Sequence, residues 1–354
     1  MTASPLRVLL VANTLPPRDV SGVGEQVLQL AAGLRAAGCE VEVLGRGPGQ
    51  VGGPKVLFPL FAVPAVRRAL RRFRPHVVQV HESDGGLAAW WVRSLASRLD
   101  PEPRLVALLQ VSYIEERRAV RPLTADGRVL GRPGSVERRF RWLKAPFQIL
   151  LGRLTARSAD LVLAPSAATA AELRRDYGVR DVAVVPNVTG GLPVQVTAVA
   201  EPAGYLLFVG RLRIRKGLEI LLEALRQVRE RFPEVRLVIA GDGEHRKVLE
   251  KLALGPSVRF LGRCDAGQVR GLLQSAVALV VPSIYEGMPL VVLEAMESSV
   301  PVVASRVSGI PEVVADGETG WLVPPEDPGS LAAALSEVLA NPEEARRRGD
   351  AGRR

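Results

Sequence analysis

Apolar residues in this chain come in short unbroken runs. Leu6–Ala12 opens the series, and Glu40–Leu44, Val77–His81, Leu105–Val111 and Leu161–Ala164 continue it. Runs of this length, rich in Val and Leu, predict strands covered on both faces, as in a parallel sheet. A helix is expected over Gly24–Ala37. After Pro186 the pattern lapses. Residues 187–203 carry Asn187, Gly190, Gly191, Pro193 and Pro202 with little periodicity, and read as a linker. The alternation then restarts. Strands are expected at Tyr205–Val209, Arg236–Ala240, Val258–Leu261, Val277–Val281 and Val300–Ala304. Helices are expected at Gly217–Arg231, Glu244–Leu254, Ala266–Gln274, Leu290–Ser298 and Leu331–Ala340. Strand–helix alternation of this kind predicts two doubly wound α/β domains, residues 1–186 and 204–354, joined by the linker 187–203.

Two stretches break the rhythm. Residues 113–140 carry many arginines with Pro122, Gly127, Gly131, Pro133 and Gly134, and read as a long exposed loop of the first domain. Over Arg138–Arg157, Phe140, Leu143, Phe147, Leu150, Leu151 and Leu154 recur at three- and four-residue spacing among arginines and Lys144. Such a helix either packs its apolar stripe on the first domain, the reading preferred here, or lies on an anionic membrane.

The 354 residues suffice for two domains, and 47% hydrophobic with 24% charged residues is the balance of a globular protein. No apolar run reaches the roughly 18 residues of a spanning helix. The first residues carry no cleavable apolar core. Cys39 and Cys264 fall in different halves and have no metal spacing, so a reducing, cytoplasmic setting is expected. Net charge is +10, with arginine far outnumbering lysine, which favours phosphate-bearing partners. Nucleic acid is not expected, because no aromatic platform or known module accompanies the charge.

The densest chemistry lies between Tyr285 and Gly309. Glu286 follows an apolar strand and opens the loop Gly287-Met288-Pro289-Leu290. Glu294 follows with seven residues between them, inside a helix expected to begin near Pro289. A loop that turns into a helix N-terminus offers unpaired N–H groups and a positive dipole end, a setting for an anion. Carboxylates on either side suit a ligand with a diphosphate in the middle and hydroxyl groups at both ends, as in a nucleotide sugar. Taken alone, the two glutamates are equally well read as solvated loop and helix charges.

With their neighbours they resemble the retaining glycosyltransferases of family 4. The matching residues are Gly210-Arg211-Leu212 with Lys216-Gly217, Gly241-Asp242-Gly243, Phe260-Leu261-Gly262, the pair Glu286 and Glu294, Val307 to Glu312, and Gly317 to Gly320. The resemblance spans nearly the whole chain and implies the GT-B fold, in which two Rossmann-like domains face each other across a cleft. The first would bind acceptor and the second the donor. By the same resemblance, Arg211 and Lys216 hold the donor diphosphate, aided by Gly287 and the N–H groups of Met288 and Leu290; Pro289 has none. Glu294 takes the ribose hydroxyls. Glu286 takes the donor sugar near the developing positive charge. Gly22 and Gly24 match the family's Gly-rich loop after the first strand, with Val23 between them. His81 is a candidate on the acceptor or sugar side. The place where the family often has a His reads Gln110-Val111-Ser112. In this fold a last helix crosses back to the first domain, and a chain ending at Gly352-Arg353-Arg354 is expected to have it short or missing.

The function so implied is metal-independent transfer of a sugar, with retention, from a nucleotide diphosphate donor to a sugar, lipid-linked or small-molecule acceptor. No Asp-x-Asp triplet occurs, two cations stand where a metal would act, and no cofactor is expected. A nucleotide-sugar-binding protein without turnover is the competing reading. A dinucleotide oxidoreductase is disfavoured, since Gly22-Val23-Gly24-Glu25-Gln26-Val27 lacks the third Gly of its fingerprint. Bulk charge and the basic helix also raise peripheral contact with an anionic membrane.

Overall fold

The computed structural model describes residues 5–15, 22–46, 50–189, 195–199, 201–253 and 255–354. In chain order the strands are β1 (Arg7–Val11), β2 (Glu40–Leu44), β3 (Val77–His81), β4 (Arg104–Leu108), β5 (Leu123–Ala125), β6 (Arg128–Gly131), β7 (Leu161–Ala164) and β8 (Val182–Val184). Then follow β9 (Tyr205–Val209), β10 (Leu237–Ala240), β11 (Val258–Gly262), β12 (Ala276–Val281), β13 (Val302–Ser305) and β14 (Gly320–Val323). By internal packing the chain divides into two units, Met1–Glu115 with Leu143–Leu192, and Glu116–Trp142 with Pro193–Arg354.

The first unit holds a parallel sheet in the order β2-β1-β3-β4-β7-β8, and the second a parallel sheet in the order β11-β10-β9-β12-β13-β14. The unbroken apolar runs are explained by alternation of side chains to opposite faces. In β9, Leu206 and Phe208 enter the core on one side of the sheet, and Tyr205 and Leu207 the core on the other. In β1, Leu9 and Val11 face one cluster while Val8 and Leu10 face another. The middle residues of these strands are buried on both faces, so a polar group there carries a cost. The short strands β8 and β14 at the sheet edges were not anticipated. Among the described residues no helix is long and apolar enough to cross a membrane.

Residues 113–140 are not an exposed loop. They fold into a helix (Tyr113–Ala119), the antiparallel hairpin β5–β6 and a short helix (Ser135–Arg139), and from Glu116 onward they pack with the second unit. Leu123 is fully buried in the core of β9 and helix Leu218–Arg231, with Leu130 against it. Of the Gly and Pro residues that suggested a loop, Gly127 makes the hairpin's turn and Gly134 caps the short helix. The stretch read as a linker is mostly exposed where it is described, and is held at a few points. Asn187 is buried and bonded to Gln110 within the first unit, and Thr197 N–H donates to Gly267 O at 3.1 Å in the second. Residues 190–194 and 200 of that stretch lie outside the described residues.

The apolar stripe of the basic segment also departs from expectation. Leu151 is buried, but Leu143, Phe147 and Leu150 are exposed at 68%, 48% and 64%. The face of helix Ala145–Ser158 that turns inward is made of Ala145, Gln148, Gly152, Thr155 and Ala156. Helix Gly86–Leu95 approaches it so closely that a Cβ at Gly86 would stand 2.7 Å from Leu151 O. Small residues permit that approach, and Leu143, Phe147 and Leu150 are left on the outside.

Candidate functional site

In the second sheet β9 and β12 are neighbours, and the strand order runs away from them in both directions. Ligands of open parallel sheets bind at the carboxyl ends of the strands where the order reverses. Two loops meet there, Gly210–Gly217 after β9 and Pro282–Leu290 after β12. Ile284 N–H donates to Arg215 O at 2.9 Å, Leu212 N–H to Asp242 O at 3.1 Å, and Gly309 N–H to Gly287 O at 3.0 Å. Gly217 has φ +67°, and a Cβ on it would lie 2.0 Å from Pro282 O. Only glycine lets the two loops close on each other there. The Gly241-Asp242-Gly243 turn after β10 packs on the backbone of residues 210–212.

The side chains of these loops form an ionic cluster. Lys216 Nζ is paired with Glu286 Oε1, and Ser283 Oγ donates to the same oxygen at 2.7 Å. Arg215 Nη1 lies 3.8 Å from Glu286 Oε2 and donates to Tyr285 O at 3.2 Å. Arg215 Nε is 3.3 Å from Glu116 Oε1, on the inserted segment. Burial alone would push Glu286 up, but the charges of Lys216 and Arg215 and the bonds from Lys216 and Ser283 hold it below the usual carboxylate range. Burial pulls the Lys216 ammonium below its ordinary value; Arg215 adds to this and Glu286 opposes it. A cation this desolvated is well prepared to meet a second anion.

The remaining expected donor residues lie on the same loops. Arg211 is exposed, five residues before Lys216. Gly287 and Met288 are buried, and Pro289 and Leu290 are half-buried. Helix Leu290–Glu297 begins where it was anticipated, with Pro289 extended at φ −71°, ψ 122° at its cap position. Glu294 is half-buried one turn into that helix. Arg215, Ser283 and Glu116 were not singled out from the sequence. Arg215 adjoins Lys216 and Ser283 stands three residues before Glu286, which are weak signals. Nothing local marks Glu116, 99 residues from Arg215 in the sequence.

A different set of groups occupies the strand ends of the first unit. Gly22 and Gly24 lie in the first turn of helix Gly22–Ala36, Gly24 buried and Gly22 exposed. Ser21, which precedes them in the expected Gly-rich loop, lies outside the described residues. His81, at the end of β3, is buried and its pKa is lowered to about 4 by burial, so it is neutral. Its Nε2 is 3.2 Å from Gln79 Nε2, and its Nδ1 has no partner among the described residues. Gln110 fills the place where a His was expected. It accepts from Asn187 Nδ2 at 3.0 Å, donates to Gln26, and its N–H donates to Glu82 Oε1 at 3.0 Å. This cluster can supply neutral donors and acceptors, the chemistry of hydroxyl recognition.

Comparison with known proteins covers both halves of the chain. Residues 20–189 match the family model "Glycosyltransferase Family 4", and residues 194–354 match "Glycosyl transferases group 1". A glycogen synthase of Mycobacterium tuberculosis is 29% identical over 98% of this chain and 89% of that protein. Among solved structures, sucrose-phosphate synthase of Thermosynechococcus elongatus is 24% identical with a TM-score of 0.78, over 98% of this chain and 93% of that one. HepE of Anabaena, solved in complex with UDP and glucose, is 19% identical with a TM-score of 0.70, over 98% and 94%. Family 4 in its first half and group 1 in its second, the chain belongs to the GT-B glycosyltransferases that draw on nucleotide-sugar donors.

Proposed function

We propose that this enzyme transfers a sugar from a nucleoside diphosphate donor to an acceptor hydroxyl with retention of anomeric configuration and without a metal. The observation that carries the reading is the desolvated Lys216, paired with Glu286 at the reversal of the second sheet. Lys216 and Arg211 bind the diphosphate, with the N–H groups of Met288 and Leu290 adding donors. Glu294 grips the ribose. Glu286 accepts from donor-sugar hydroxyls and faces the positive charge that builds at the anomeric carbon. As the bond from that carbon to the phosphate oxygen breaks, the cations stabilise the leaving diphosphate. The acceptor oxygen attacks on the same face, and its proton passes to the departing phosphate oxygen. His81, Gly22 and Gly24 belong to the sugar and acceptor side of this reading. Binding of UDP and glucose by HepE favours a donor of the same class.

A thermal-shift panel of UDP, GDP, ADP and their sugars names the donor, since a ligand of the folded state raises its melting temperature. Turnover is then followed by released nucleoside diphosphate with and without EDTA, and the product anomer is read by NMR. An inverted product, or activity lost to EDTA and restored by a divalent ion, would refute the corresponding part. No release of diphosphate from any donor would favour the binding protein without turnover.

The exposed Leu143, Phe147 and Leu150 favour a second element of function, peripheral attachment to an anionic membrane on its cytoplasmic face. Exposed Lys144, Arg153 and Arg157 lie along the same segment. The attachment suits a lipid-linked acceptor. Co-sedimentation with phosphatidylglycerol vesicles is expected for the native protein and not after Leu143, Phe147 and Leu150 are all changed to Ser. Equal sedimentation of the two proteins would remove this element.

A further inference from the structure

The turn Ile214–Lys216 carries the lysine of the proposed diphosphate site. A short helical turn leaves its leading N–H groups unpaired within itself. Ile214 N–H donates to Glu137 Oε1 at 2.6 Å, in the buried interior of the second unit. Glu137 stands in the segment inserted between β4 and β7, 77 residues away. Its other oxygen accepts from Gly134 N–H at 3.0 Å and lies 2.5 Å from His245 Nε2. His245 Nδ1 in turn lies 3.0 Å from Glu219 Oε1, at the start of helix Leu218–Arg231. All three side chains are buried. The same inserted segment supplies Glu116, beside Arg215 and Arg213. Arg121, also on the segment, forms a two-pronged pair with Glu326.

An apolar side chain at position 137 would leave His245 with only one of its two carboxylates and the N–H groups of Ile214 and Gly134 without this acceptor. What the Glu137 side chain provides is an acceptor oxygen at the right reach for the backbone of the turn, clamped from behind by His245. We propose that Glu137 is a positioning residue for sugar transfer: it fixes the backbone of the Ile214–Lys216 turn so that Lys216 meets the donor diphosphate. This rests on the donor-site reading given above. Lysine has a long flexible stem, and a displacement of about 1 Å at a reacting group can cost about a hundredfold in rate. Anchoring the backbone two residues away limits that displacement without touching the ligand.

The test compares binding of UDP, ADP and GDP with binding of uridine, adenosine and guanosine by calorimetry, in the full chain, with folding checked by melting. Glu137→Ala is expected to weaken the diphosphate that binds the native protein by about tenfold or more, with the matching nucleoside unchanged within about threefold. Glu137→Gln keeps an acceptor for Ile214 N–H and is expected to restore most of the affinity. Should the Ala variant fail to fold, Glu137→Asp, which keeps the charge but shortens the reach, is expected to show the same selective loss. Equal loss of nucleoside and diphosphate, or native diphosphate affinity in a folded Ala or Asp variant, would overturn the inference. So would a Gln variant as weak as Ala. Lys216→Ala is the control. If it too binds diphosphate normally, the donor site itself is misplaced and the inference falls with it; if it alone loses diphosphate, only the role of Glu137 is refuted.

Discussion

Replacing Glu286 with Gln leaves Lys216 without its counter-charge while changing little else. The amide has the shape of the carboxylate and still accepts from Ser283 Oγ, so the loss is electrostatic. Removing one partner of a buried ion pair costs roughly 3–5 kcal/mol. The Lys216 side chain keeps 16% of its surface exposed against 7% for Glu286, which places the expected cost near the low end, at about 3 kcal/mol. For a unit of this size that is a fall in melting temperature of about 6–12 °C. Changing Lys216 to Met in the same protein removes the stranded cation and should recover about 2 kcal/mol of the loss. Binding and turnover should then separate. Nucleoside diphosphate brings the negative charge that the Gln variant lacks, so its affinity should equal or exceed that of the native protein. Transfer should fall by about 10²–10³, the usual loss on removing one charge-stabilising group. Calorimetric melting of the native protein, both single variants and the double variant, with and without UDP, ADP or GDP, completes the cycle. Effects of the two substitutions that add within about 0.5 kcal/mol would refute the pairing. A folded Gln variant that has lost diphosphate would refute its assignment to Lys216.

Burial on its own would lower His245, yet its bonds to Glu137 and Glu219 and their charges raise its pKa to about 10. A raised value stabilises fully below the unfolded pKa of about 6.5 and is lost as pH climbs through about 10, so the second unit should weaken by a few kcal/mol over that window. His245→Gln should flatten this limb, and an unchanged alkaline slope in its denaturant melts would contradict the triad. Glu137, held below its ordinary value, gives the opposite limb, a loss of stability as pH falls through its depressed folded value. Leu123→Ala, although remote from β9 in sequence, should destabilise the second unit by about 2–5 kcal/mol, as for a fully buried leucine. Native stability of that variant in urea would show that the inserted hairpin is not part of this core.

Most strands of both sheets were legible in the sequence, because a strand buried on two faces is mostly apolar and such a run stands out in one dimension; the edge strands β8 and β14 were not. The loops after β9 and β12 were legible for a related reason. Gly217 and the residues from Glu286 to Leu290 are constrained by contacts their own short segments make, so their types cluster along the chain. The partners of those residues were not. Glu116 and Glu137 sit in a stretch whose glycines, prolines and arginines resemble solvated loop, and only the packing of Leu123 into the core of β9 and helix Leu218–Arg231 brings them to Arg215 and Ile214. The exposure of Leu143, Phe147 and Leu150 was hidden in the same way. Periodicity identifies an apolar stripe, but a neighbouring helix accepted the small-residue face instead, because close approach of two backbones excludes bulk. Sequence thus determines which segments are strands and where charge gathers along the chain; which charge neutralises which, and which face of a helix is covered, depend on distances that exist only once the chain has folded.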